Sequence, residues 1–202
     1  MELEKYYWTF PYKLLSDECL ANVRKYALEL AQDKSIYGIK GQEIYEASLR
    51  MGQAIFDKFP EVKALEDNCK LELTSKILFV YKGAYAVPAH RDAQLPRISV
   101  LYFPILPEED YSGVIFWDEQ VFPDEDKELH KVFNTCQPDN IQPPHACIAG
   151  GDGKAFIFDA QQMHAVKSPY TGIRINFQFS FAQPYNVVLK LAKANKLFRH
   201  LS

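Results

Sequence analysis

Cysteine is scarce in this chain: Cys19, Cys69, Cys136 and Cys147 are all it has, and none are paired in CxxC spacing. They read as free thiols of a reducing compartment, so the expected location is cytoplasmic. No apolar run approaches the length of a membrane span. The opening residues, Met1-Glu2-Leu3-Glu4-Lys5, are charged and lack the apolar core of a secretory signal. Positive charge is not in excess either. Lys and Arg number 23 against 26 Asp and Glu, a formal net charge of -3 that leaves no electrostatic footprint for nucleic acid. Internal repeats and low-complexity tracts are missing, so neither a solenoid nor a linker is implied. What remains is a chain of 202 residues, 48% hydrophobic and 14% aromatic, of a size that buries a substantial core as one domain.

That domain, 1–202, divides by pattern into three zones: helical support over 1–70, a strand-rich core over 71–185 and a C-terminal helix over 186–202. Ser16 is placed to cap a first helix, with Leu20, Val23, Ala27 and Leu30 at helical spacing. Gly38 and Gly41 break the pattern, and a second helix is expected from about Gln42 to Lys58 through Ile44, Leu49 and Ile55. Pro60 opens a short third one, since proline suits the first helical position. From Leu71 the period becomes that of strands. Ile77–Tyr81 is apolar, β-branched and aromatic, and Ile98–Phe103 is a similar run that Pro104 is expected to stop. Val114–Trp117 and Ala155–Phe158 are shorter strands. Over Ile173–Phe181 the chain alternates, with isoleucines and phenylalanines on one face and Arg174, Asn176, Gln178 and Ser180 on the other. Short strands divided by Pro and Gly turns suggest an α+β, mainly β jelly roll, two sheets enclosing a site at one mouth. Residues 118–148, rich in Pro, Asp and Glu and carrying His130 and His145, read as a long loop, either a lid or a solvated insertion. At the C-terminus Val188, Leu191, Ala194, Phe198 and Leu201 form an apolar stripe beside Lys190, Lys193, Lys196 and Arg199. A membrane-surface or partner helix is conceivable, but packing on the chain's own sheet is the expectation.

Chemistry concentrates in separated places. His90-Arg91-Asp92 follows Pro88-Ala89 at the end of a strand, and His164 lies between two later strands. Two imidazoles and one carboxylate are a ligand set that leaves open positions on a non-haem Fe(II) ion. Residues i and i+2 on an extended chain share a face, as two ligands of one metal require. Either motif alone is weak: His-x-Asp arises by chance, and a lone His is more often a satisfied structural one. Arg174 adds a planar guanidinium on an otherwise apolar strand, suited to grip a carboxylate through two parallel bonds.

With these residues in hand, the chain resembles the Fe(II)- and 2-oxoglutarate-dependent dioxygenase superfamily, in its prolyl-hydroxylase-like branch, over about residues 77–182. The resemblance runs through Tyr81-Lys82-Gly83, His90-Arg91-Asp92, Arg97–Phe103, Ser112–Phe116, Gly151–Phe158, His164 and Arg174. It implies a double-stranded β-helix, with Fe(II) held by His90, Asp92 and His164. The cosubstrate 2-oxoglutarate would have its 5-carboxylate on Arg174 and Tyr81 as a further contact. Asn176 stands where many members carry a serine that also touches it. With O2, such an enzyme hydroxylates its substrate and releases succinate and CO2. Nucleic-acid demethylases of the superfamily carry a second arginine where this chain has Ser180, and the chain is acidic. A peptidyl, prolyl-type substrate or a small amino-acid-like one is therefore expected, with no nucleic acid and no membrane partner. The alternatives are a non-catalytic jelly roll that binds a metal or ligand, and a zinc enzyme using the same two His and one Asp. For the zinc enzyme Arg174 has no obvious task.

Overall fold

A computed structural model describes residues 3–32, 44–47, 58–82, 85–92, 98–106, 113–116, 146–149, 153–168 and 173–199, with the backbone alone described at 3, 30–32, 44–47, 80–82, 85–90, 113, 115, 146–149, 166–168 and 173. After a 3-10 turn, Leu3–Lys5, come β1 (Tyr7–Thr9), α1 (Asp17–Gln32), β2 (Ile44–Ala47), α2 (Pro60–Asn68), β3 (Leu73–Lys82) and β4 (Tyr85–His90). They are followed by β5 (Ser99–Leu106), β6 (Gly113–Phe116), β7 (Ala146–Ala149), β8 (Phe156–Asp159), β9 (His164–Ser168), β10 (Ile173–Phe181) and α3 (Tyr185–Lys193). The strands form two antiparallel sheets, one in the order β1-β8-β5-β10-β3-β2 and the other β4-β9-β6-β7.

The alternation of β10 assigns its two faces. Ile175, Phe177, Phe179 and Phe181 join Leu101, Phe103 and Ile157 in a large core, where Leu20, Val23 and Ala27 of α1, Val62 and Leu65 of α2, and Val188 and Ala192 of α3 cover the sheet. The opposite face meets the four-stranded sheet. There Val100, Tyr102, Phe156 and Phe158 pack with Val114 and Phe116 of β6, and with Tyr6 and Ala160, in a second apolar cluster. Removing such aromatic surface from water stabilises the fold by about 1.5–3 kcal/mol per side chain.

Local chemistry accounts for the helix ends. Ser16 caps α1: its Oγ accepts the Cys19 N–H at 3.1 Å and donates to Glu61 Oε1 at 2.6 Å. Pro60 opens α2 as expected. α3 stops at Lys193, short of the stripe anticipated to Leu201, because Asn195 takes a left-handed φ of 53°. The Lys196 and Asn195 N–H groups then close back on Leu191 O and Ala192 O, a Schellman ending. Ala194 is therefore exposed, whereas Phe198 returns to the core. The helix packs on the chain's own sheet, and no helix among the described residues is long and apolar enough to cross a membrane.

Two further expectations change. Residues 44–47 lie in a strand and not in a helix: Ile44↔Tyr81 through Ala47↔Leu78 pair along the open edge of β3, whose backbone groups outweigh a weak helical pattern. β5 also continues through Pro104 to Leu106. Proline is tolerated because the β10 ladder shifts register there, from Asn176↔Pro104 to Ile175↔Leu106, and because pairing with β8 ends at Tyr102.

Candidate functional site

Two strands that enclose a long stretch of sequence bring the candidate histidines together. β4 pairs antiparallel with β9, and His90 is the direct cross-strand partner of His164. Directly opposed residues share one face of a sheet, with Cβ atoms about 4.5–5.5 Å apart in general. The register shifts between Val87 and His90, an interval containing Pro88, so the strand bends just before its histidine. The His90 side chain lies outside those described.

His164 is 4% exposed. Phe158 meets its ring edge-on at 5.4 Å, and Phe116, its cross-strand neighbour in β6, lies at 6.2 Å. Its Nδ1 is 2.9 Å from the Gln162 carbonyl oxygen. A carbonyl only accepts, so Nδ1 carries the proton, and in the neutral ring the lone pair is then on Nε2. That is the tautomer a metal-ligating histidine needs.

Asp92 follows β4 by two residues and is half-buried. Its backbone N–H donates to Ala160 O at 3.0 Å, in the turn that leads from β8 to β9. The same turn thus holds Asp92 by its backbone and His164 by its ring. Among the described residues no three His, Cys, Asp or Glu side chains gather as a metal cluster, the His90 side chain not being among them.

Arg174 stands on the polar side of β10, which is buried between the sheets. Register fixes this: Gln178 opposes Tyr102 and Ser180 opposes Val100, so Arg174 and Asn176 share the face that carries the aromatic cluster. Arg174 is 4% exposed, and its Nη2 donates to the Tyr102 hydroxyl at 2.5 Å. Burial pushes the Tyr102 hydroxyl above the usual tyrosine range, while the charge and hydrogen bond of Arg174 pull the other way. Tyr102 stacks on Phe156 at 4.6 Å, Phe156 neighbours Phe158, and Phe158 meets His164. An apolar aromatic run therefore connects the buried guanidinium with the buried imidazole. Asn176, 1% exposed, accepts from Gln178 Nε2 at 3.0 Å. Tyr81 is the cross-strand partner of Arg174 in β3, with its side chain outside those described. The 118–148 interval ends in β7, and His130 and His145 lie outside the described residues.

Tyr102 is the site residue that sequence reasoning missed. It sits 72 positions from Arg174 in an unremarkable apolar run. Its parity with Val100, facing the polar side of β10, could have singled it out once the β5–β10 pairing was known.

No protein-family model matches the chain, and no curated protein matches it in sequence. Solved structures do match. The non-haem α-ketoglutarate-dependent epimerase SnoN from nogalamycin biosynthesis superimposes with a TM-score of 0.60 at 14% identity, over 88% of this chain and 78% of its own. HygX from Streptomyces hygroscopicus, solved with nickel and 2-oxoglutarate bound, gives 0.57 at 14% identity, over 89% and 84%. A Trichoplax adhaerens prolyl hydroxylase, in complex with a hypoxia-inducible-factor peptide fragment, gives 0.52 at 12% identity, over 90% and 86%. At these identities the likeness is one of fold.

Proposed function

We propose that this chain, which has the fold of the 2-oxoglutarate oxygenases, is itself an Fe(II)- and 2-oxoglutarate-dependent dioxygenase built as a double-stranded β-helix. The observation that carries the reading is His164: buried, the direct cross-strand partner of His90, and held through Nδ1 by Gln162 O. His90, Asp92 and His164 would hold Fe(II), a donor set of two neutral imidazoles and one carboxylate suited to that ion. Arg174 would take the 5-carboxylate of 2-oxoglutarate, a buried cation beside an apolar aromatic wall matching an anionic end group. Tyr102 would orient that guanidinium, and Asn176 and Tyr81 are further candidates for cosubstrate contact.

Bound there, Fe(II) with 2-oxoglutarate and O2 supplies the oxidising chemistry for hydroxylation, with succinate and CO2 as by-products. The residues' own part is to orient and to shield. The Gln162 carbonyl keeps the His164 lone pair aimed, and Phe116, Phe158 and Phe156 exclude water along the path towards Arg174. For the substrate, a peptidyl, prolyl-type side chain or a small amino-acid-like molecule is the reading. Among proteins of this fold, the prolyl hydroxylase was solved with a peptide fragment and SnoN with nogalamycin RO, so the fold accommodates both a peptide and a small molecule.

The test is an anaerobic titration with Fe(II) and then 2-oxoglutarate, read by the weak visible metal-to-ligand charge-transfer band. A band in the parent that is lost in His164→Ala and weakened in Arg174→Ala is the expected result. Its absence from the parent would return the chain to the class of non-catalytic binding modules. Peptide and amino-acid panels, scored by mass gain of one oxygen, then separate the substrate classes.

A further inference from the structure

The turn between β8 and β9 links both of the candidate ligands whose surroundings are described. Ala160 O accepts the Asp92 N–H at 3.0 Å, and Gln162 O lies 2.9 Å from His164 Nδ1. The positions of those two carbonyls depend on how the turn is folded, and the Asp159 side chain bonds within it. Asp159 Oδ1 accepts the Gln161 N–H at 2.9 Å, and Asp159 O accepts the Gln162 N–H at 3.2 Å. An aspartate that bonds the backbone two residues on stabilises a tight turn. The turn is also anchored at its base. The Asp159 N–H donates to Tyr6 O at 3.0 Å, the Ala160 N–H donates to Ile98 O at 3.1 Å, and Ala160 and Met163 are buried. A closed turn on a fixed base leaves its carbonyls little freedom.

We propose that Asp159 is a positioning residue of the candidate metal centre, acting through the Ala160 and Gln162 carbonyls on Asp92 and His164. This rests on the oxygenase reading above. Asp159 touches neither metal nor substrate in this role; it sets the spacing between the segment that follows β4 and the start of β9. Partners of this indirect kind commonly change metal affinity about 10–100-fold when removed.

The experiment compares Asp159→Ala, Asp159→Asn and Asp159→Ser with the parent. Fe(II) affinity is measured by anaerobic calorimetry, protection of the Asp92 amide by hydrogen exchange of the metal-free protein, and folding by thermal unfolding of that same form. Asp159→Ala is expected to bind Fe(II) about 10–100-fold more weakly, with faster exchange at Asp92. Asparagine keeps the Oδ1 acceptor and is expected to restore both readouts. Serine closes the same turn more weakly and is expected to fall between, which gives a second reading should the alanine variant not fold. Parent-like Fe(II) binding and Asp92 protection in Asp159→Ala would overturn the inference while leaving the oxygenase reading intact. Asparagine performing no better than alanine would overturn it too, since the turn-closing acceptor would then not govern the site. A parent that takes up no Fe(II) would overturn the oxygenase reading and this inference with it.

Discussion

At the scale of single residues, the most consequential pair is Arg174 with Tyr102. A guanidinium buried between two sheets is stabilised only by groups that accept its protons, and the Tyr102 hydroxyl is one of them. Tyr102→Phe keeps the ring, and with it the stack on Phe156, but removes the acceptor. We expect a loss of about 1–3 kcal/mol in unfolding free energy, the usual cost of depriving a buried polar group of its bond. Weaker binding of 2-oxoglutarate should accompany it, because the guanidinium loses a fixed orientation. Urea unfolding and the anaerobic titration read the two effects separately. The pH dependence has a definite sign. Burial raises the folded-state pKa of Tyr102 above its unfolded value, so its contribution is fully present below the unfolded pKa and is lost as pH rises through the folded one. Difference curves between parent and Tyr102→Phe should therefore be flat at neutral pH and diverge only in the alkaline range, with the parent the one that falls.

Elements differ in how far local sequence determines them. β10 was legible from end to end because its alternation coincides with a real partition: phenylalanines toward the helices, polar groups toward the other sheet. α1 was legible from its cap and stripe. β2 was not, since Ile44–Ala47 becomes a strand only through the edge that β3 offers it from more than thirty residues away. The continuation of β5 past Pro104 likewise depends on a register shift that no local rule contains. For the site, residue types pointed to His90, Asp92, His164 and Arg174. The β4–β9 pairing, the Ala160 and Gln162 carbonyls and the Tyr102 hydroxyl are products of non-local pairing and could not be read. A prediction belongs here as well. Ser16→Ala removes the cap of α1 and the link from its Oγ to Glu61. It should lower unfolding free energy by about 1 kcal/mol. Because α1 covers the face of the sheet opposite Arg174, Fe(II) and 2-oxoglutarate affinities should stay at parent values, and calorimetry on the folded variant checks that separation.

On the scale of the whole molecule, the proposed ligands would meet different sheets. His90 and His164 lie in the four-stranded sheet, whereas Arg174 and Tyr102 lie in the six-stranded one, with the aromatic cluster between them. Iron held by the histidines and Asp92 would engage the first sheet and the β8–β9 turn; 2-oxoglutarate reaching Arg174 would tie that assembly to the second sheet. If both bind the folded state alone, each adds stability by mass action, about 2.7 kcal/mol at a hundredfold excess over Kd. For a chain of this length that is a rise in Tm of roughly 5–11 °C per ligand at such an excess. Thermal unfolding under anaerobic conditions should show one increment with Fe(II) and a second with 2-oxoglutarate. A chelator should remove both, because the second depends on the first. In Arg174→Ala the iron increment should persist while the 2-oxoglutarate increment shrinks, since the histidines and Asp92 are intact and only the anchor in the other sheet is gone. Equal loss of both increments in that variant would mean that Arg174 supports the fold between the sheets and does not hold the cosubstrate.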